Sequence, residues 1–120
     1  MPEEHTHPEY VYRLATAVEW AAAVETGAVP TRDIDERDEY FHLSTRAQAL
    51  ETARLYFADA EDLLALEIPL AEIADDTKFE LAPKRGEAFP HLYGTLAAAQ
   101  VSRVIRLVRT ADGFAFGEAL

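Results

Sequence analysis

Leu63–Ile68 (LLALEI) is a nearly continuous apolar run, and it constrains the fold more than any other segment. A run this short, apolar at both alternating sets of positions, reads as a strand covered on both faces. Pro69 ends it. Elements able to supply that cover are legible on either side. Tyr10–Ala15 (YVYRLA) is rich in strand formers. Thr16 and Glu19 then make a capping box, Ala17, Trp20, Ala21 and Val24 follow at helical spacing, and Gly27 stands where a C-terminal cap belongs. A second helix is expected after the short strand Tyr40–Leu43. There Thr45 and Gln48 match the capping box, and Ala49, Leu50, Ala53, Tyr56 and Phe57 form one stripe.

The remaining chain reads in shorter pieces. Leu70–Asp75 is a turn or helical segment, and Lys78–Leu81, His91–Gly94 and Val101–Arg109 are strands. Asp112-Gly113 marks a turn into an aromatic tail. Two stretches read as irregular: the polar loop Ala28–Glu39, long enough for a lid, and Pro83–Pro90. The expectation is one α+β domain over residues 10–120 with five or six strands and two main helices. Residues 1–9 read as a disordered acidic tail.

Charge narrows the partners. Residues 1–77 carry 18 Asp/Glu against five Lys/Arg, whereas residues 78–120 carry four against six. The acidic part would repel a polyanion, so nucleic acid and anionic membranes are not expected as partners. A small anionic molecule held by the C-terminal third is compatible with the charge, and a protein partner is left open. The chain has no cysteine, which excludes disulfides, thiolate metal sites and cysteine nucleophiles. No apolar run reaches bilayer length and the first ten residues do not form a targeting signal, so a cytoplasmic location is the default. Walker A, dinucleotide-binding, nucleophile-elbow, zincin and EF-hand patterns are all missing from the sequence.

Two segments gather side chains able to do chemistry. In Tyr40–Thr45 (YFHLST), strand alternation puts Phe41 and Leu43 on one face and Tyr40 and His42 on the other. Ser44 and Thr45 follow at a helix start, where free amides and hydroxyls suit an anion. The same two residues would equally serve as plain helix caps, with His42 a half-buried ring. In Lys84–Gly94 (KRGEAFPHLYG), Arg85 and Gly86 offer a flexible turn with a planar cation. Phe89, His91 and Tyr93 alternate and would share one face, either as a stacking surface with a titratable ring or as a packed aromatic strand. Glu67 inside LLALEI and Glu80 in KFEL are the candidate carboxylates; the ordinary alternative is a structural ion pair with Arg13 or Arg85. His5 and His7 form an H-x-H pair able to bind a metal weakly but with no third ligand evident, so they read as part of the tail; a metal site at His42 and His91 is a third, weaker reading, and no metal is assigned.

With these motifs in order, the sequence resembles the domain of unknown function 952 family, whose pattern is close to G-F-I-H-L-S-T, L-L-x-L-x-V, W-E, R-G and F-P-H-L-Y-G. Here it reads Glu39–Thr45, Leu63–Ile68, Phe79-Glu80, Arg85-Gly86 and Phe89–Gly94, with Glu39 for the usual glycine and Phe79 for the usual tryptophan. The resemblance implies a fold similar to the ADP-ribosyltransferases, two small mixed sheets with NAD in the cleft between them. It also implies Arg13 near the ribose, the YFHLST strand and helix around nicotinamide, and His91 and Tyr93 where a catalytic glutamate normally stands.

Two functions follow from this. The first is a hydrolase or transferase acting on NAD or an ADP-ribose-like ligand. Arg13, His42, Arg85 and Gly86 would hold phosphate or ribose, Ser44 and Thr45 would cap the anion, and Phe89 and Tyr93 would stack. His91 would move protons, with Glu67 or Glu80 as the carboxylate. The second is a module that binds a small anionic metabolite or nucleotide without chemistry. No cofactor is required by the sequence; NAD enters only as a substrate or ligand.

Overall fold

The computed structural model describes residues 7–120. Leu63–Pro69 forms β3, and its first six residues are all buried. It runs antiparallel between β1 (Tyr10–Thr16) and β6 (Arg103–Thr110), and β7 (Gly113–Ala119) completes a four-stranded sheet in the order β1-β3-β6-β7. A second, three-stranded sheet has the order β2-β5-β4, from Phe41–His42, Glu87–Leu92 and Thr77–Ala82. Every pairing is antiparallel, so the expected mixed sheets are corrected to two antiparallel ones. Reciprocal bonds between Tyr12 and Ser44 (2.7 and 2.9 Å) join the end of β2 to β1.

Side-chain alternation along β1 and β3 builds two cores. Val11, Ala15, Leu64, Leu66 and Ile68 face the small sheet and pack with Phe41, Leu43 and Leu92. Tyr12, Leu14, Leu63 and Ala65 face the other way, under Ala49 and Ala53 of α3 (Arg46–Tyr56) and Phe114 of β7. Truncating Leu66, which lies at 0% exposure in the first core, would cost about 2–5 kcal/mol. The first core also fills the space between the two sheets, where the resemblance placed a ligand cleft.

The helix ends match their sequence signals. Thr16 and Thr45 each close a capping box, with Glu19 and Gln48, at the starts of α1 (Ala17–Thr26) and α3. Gly27 ends α1 at φ 90°, the left-handed geometry glycine adopts without a Cβ penalty. Among the described residues, seven strands replace the expected five or six because the aromatic tail pairs along β6 as β7.

Two segments expected to be irregular are ordered. Within Ala28–Glu39, Asp33–Asp38 forms a short helix, α2. Its sequence carries no apolar stripe; the turn closes because Asp35 reaches back to accept from the Arg32 amide at 2.7 Å. Glu39 then ends α2 at φ 68°, where the family pattern has glycine. Within Pro83–Pro90, the strand already begins at Glu87 and ends at Leu92, ahead of Tyr93. Pro90 is tolerated in this central strand because β2 ends at His42, and the Pro90 carbonyl accepts from the departing Leu43 amide at 3.1 Å.

Among the described residues, the remaining α-helix is α4 (Leu70–Ile73), following Pro69. Among the described residues, no helix is long and apolar enough to cross a membrane. Of the expected acidic tail, residues 1–6, with His5, lie outside the described part. His7 sits edge-on to Phe79 at 5.0 Å, and the Glu9 carbonyl accepts from the Leu70 amide.

Candidate functional site

The core-facing side of the small sheet carries Phe41, Leu92 and Phe79, so alternation turns His42, His91, Phe89 and Glu80 to its outer side. His42 and His91 are direct cross-strand partners, with ring centroids 5.9 Å apart. Tyr40, two residues before His42, stacks on His91 at 3.9 Å and 17° and lies 4.5 Å from His42. It also meets Tyr93 at 5.2 Å, which closes an aromatic group around the two imidazoles.

Each imidazole is oriented by a carboxylate. His91 Nδ1 lies 2.7 Å from Glu80 Oε1, which also accepts the Tyr93 hydroxyl at 2.6 Å. These two bonds, that from Tyr93 first, hold the Glu80 carboxyl below its usual range. In return, Glu80 pushes the Tyr93 phenol up to about 12. With Nδ1–H donating to Glu80, the neutral form of the His91 ring carries its lone pair on the second nitrogen. Among the described residues that nitrogen has no hydrogen-bond partner.

His42 is held differently. Its Nδ1 lies 2.8 Å from Asp35 Oδ1 and its Nε2 lies 3.0 Å from Asp38 Oδ2. Asp35 also accepts the His42 amide at 3.1 Å and both terminal nitrogens of Arg13, at 3.0 and 2.6 Å. Burial would raise the Asp35 carboxyl, but the bonds from His42 and Arg13 outweigh it and hold the group far below its ordinary value. Arg13 is itself 1% exposed, and burial lowers it from the usual arginine range. Its guanidinium is therefore matched within the protein rather than turned toward a ligand. Asp35, Asp38 and Tyr40 were missed as site residues. Only Tyr40 had a sequence signal, its strand alternation with His42; the two aspartates lay in a stretch with no periodicity.

The other expected residues divide. Glu67 stands on the opposite face of the large sheet from Arg13, since Tyr12 directly faces it across β1 and β3. There Arg103 binds it through two nitrogens (3.1 and 3.0 Å), with Ser102 and Tyr12 completing its bonds. The Arg103 contact is the largest influence holding its carboxyl below the normal range. Neither Arg13 nor Arg85 is its partner. Thr45 caps α3, and Ser44 is buried against Thr52. Arg85 lies over the Phe89 ring at 4.6 Å beside Gly86, on the same outer face as the histidines. Among the described residues, no three His, Asp or Glu side chains converge as metal ligands.

The family described as "Protein of unknown function (DUF952)" matches residues 14–104. Crystal and solution NMR structures of protein CC0527 from Caulobacter crescentus are 33% identical to the chain. The crystal structure aligns with a TM-score of 0.79 over 88% of this chain and 91% of that one; the solution structure gives 0.77 over 89% and 91%. No curated protein matches.

Proposed function

The chain belongs to the DUF952 family, and we propose that its histidine face is the active site of a small hydrolase or transferase using His91 as general acid and base. One observation carries this reading: Glu80 fixes Nδ1 of His91 while, among the described residues, the other ring nitrogen has no partner. An imidazole oriented in this way takes a proton from water or an acceptor hydroxyl as that oxygen bonds to the reacting centre. It returns the proton to the leaving group as the old bond breaks. Glu80 remains the acceptor for Nδ1–H and stabilises the charged ring, a role the Tyr93 bond supports by keeping Glu80 ionised. Tyr40 and Tyr93 offer aromatic faces for a planar group. The substrate would lie on the outside of the small sheet, because the first core occupies the interior.

The test is incubation with NAD and with ADP-ribose, following nicotinamide or ribose products, beside His91→Gln. The expected loss of turnover is about 10²–10⁴-fold, with ligand-induced thermal shifts retained. Turnover unaffected by His91→Gln would overturn the reading.

A second reading, recognition of a small anionic metabolite or nucleotide without chemistry, is favoured by Tyr40. Its ring covers a face of His91 and leaves that side chain 9% exposed. Saturable binding with no product after long incubation would select it.

A further inference from the structure

Arg85 stands in the turn between β4 and β5, where its own amide and that of Gly86 both donate to the Ala82 carbonyl, at 3.0 and 2.8 Å. Gly86 takes φ 71° there, a conformation that suits glycine. The Arg85 guanidinium lies over Phe89, and its Nη1 donates to Thr52 Oγ1 at 3.1 Å. Thr52 is fixed in turn: its hydroxyl donates to the Gln48 carbonyl and accepts from Ser44. With one face covered and one nitrogen tied, the plane of the guanidinium is set. Nη2 is buried yet, among the described residues, has no hydrogen-bond partner.

Other arginines show what is missing. Arg13, Arg32 and Arg103 each meet a carboxylate through two nitrogens. Among the described residues, Arg85 has no such ion pair, and Glu51, which feels its charge, is held by Arg54 at 2.6 Å. A buried guanidinium nitrogen without an acceptor is costly, and the planar fork matches the oxygens of phosphate and carboxylate groups.

We propose that Arg85 anchors an oxyanion subsite, taking a phosphate or carboxylate group along the guanidinium edge that Thr52 leaves free, with Nη2 uncovered as the group enters, while Phe89 and Thr52 hold the guanidinium in place. Phe89 and His91 are two residues apart on one face of β5, about 7 Å along the strand. A ligand bearing an anionic group at Arg85 would thus extend toward the histidines. The subsite stands on the geometry of Arg85 and does not depend on chemistry at His91.

The experiment is a thermal-shift titration with inorganic phosphate and, separately, with acetate, at ionic strength held constant with chloride. The wild type is expected to show a saturable rise in Tm with at least one of them, and the stronger of the two identifies the preferred group. Arg85→Gln should abolish the rise, and Arg85→Lys, which keeps the charge but loses the fork, should weaken apparent affinity about tenfold. Thr52→Val, which frees the guanidinium, should also weaken it and serves if Arg85→Gln does not fold. His91→Gln should bind both anions as the wild type does, so that a failed turnover assay leaves this result separate. A wild type with no saturable shift from either anion, or undiminished binding in both Arg85→Lys and Thr52→Val, overturns the proposal.

Discussion

Arg13 and Asp35 meet end to end inside the protein, at 3.0 and 2.6 Å, each 2% exposed or less. Because Asp35 also takes the amide and Nδ1 of His42, the pair connects β1, α2 and β2 through one carboxylate. It positions one histidine of the outer face from below, and it is the clearest source of pH-dependent stability in the chain.

Asp35→Asn would leave the Arg13 charge buried with no countercharge, a loss of about 3–5 kcal/mol. The pH dependence has a definite sign. The folded carboxyl is depressed below its ordinary value of 3.8, so its contribution is fully present above that value and is lost as pH falls below it. Urea denaturation of the wild type between pH 6 and pH 2 should show this decline, and Asp35→Asn should lack this component. Equal midpoints at pH 6 would contradict the role given to the pair.

Glu39 holds φ 68° without the freedom of glycine. Left-handed backbone costs a residue with a Cβ about 1 kcal/mol or more, offset in part by the extra freedom of unfolded glycine. Glu39→Gly is therefore expected to stabilise the protein by up to about 1 kcal/mol, read as a higher urea midpoint at unchanged slope. A lower midpoint would mean that the Glu39 side chain contributes something its geometry does not suggest.

Tyr93 is expected to remain a neutral phenol well above pH 10, since Glu80 pushes it up to about 12. In Glu80→Gln the carboxylate charge is gone, and the phenol should return toward its ordinary value of 10.0. An NMR titration of the tyrosine Cζ carbons reads this directly. If no tyrosine changes its titration in the variant, the Glu80–Tyr93 bond does not exist in solution, and the positioning of His91 loses its support.

Glu67 lies on the far face of the large sheet, bound to Arg103. Glu67→Gln should lower stability by about 1–3 kcal/mol through imperfectly satisfied buried groups, with the half-exposed Arg103 able to rehydrate. Ligand binding and turnover at the histidine face should be unchanged. A selective loss of activity without loss of stability would place Glu67 in the chemistry instead.

What the sequence determined on its own was local or periodic. LLALEI could bury both faces only as an inner strand, the two Thr-x-x-Glu/Gln boxes placed the starts of α1 and α3, and alternation turned His42 away from Phe41 and Leu43. The pairing of His42 with His91, the use of Glu80 rather than Glu67, and the ordering of α2 were decided by tertiary structure. Residues 33–38 have no apolar stripe to announce a helix; they are held because Asp35 meets an arginine 22 residues earlier in the chain. Glu67 and Glu80 look alike as acids in strands, and only the sheet arrangement decides which of them faces a histidine. Hydrophobic period and capping act over a few residues and can be read in one dimension, whereas a buried charge is defined by a partner that the fold must first bring to it.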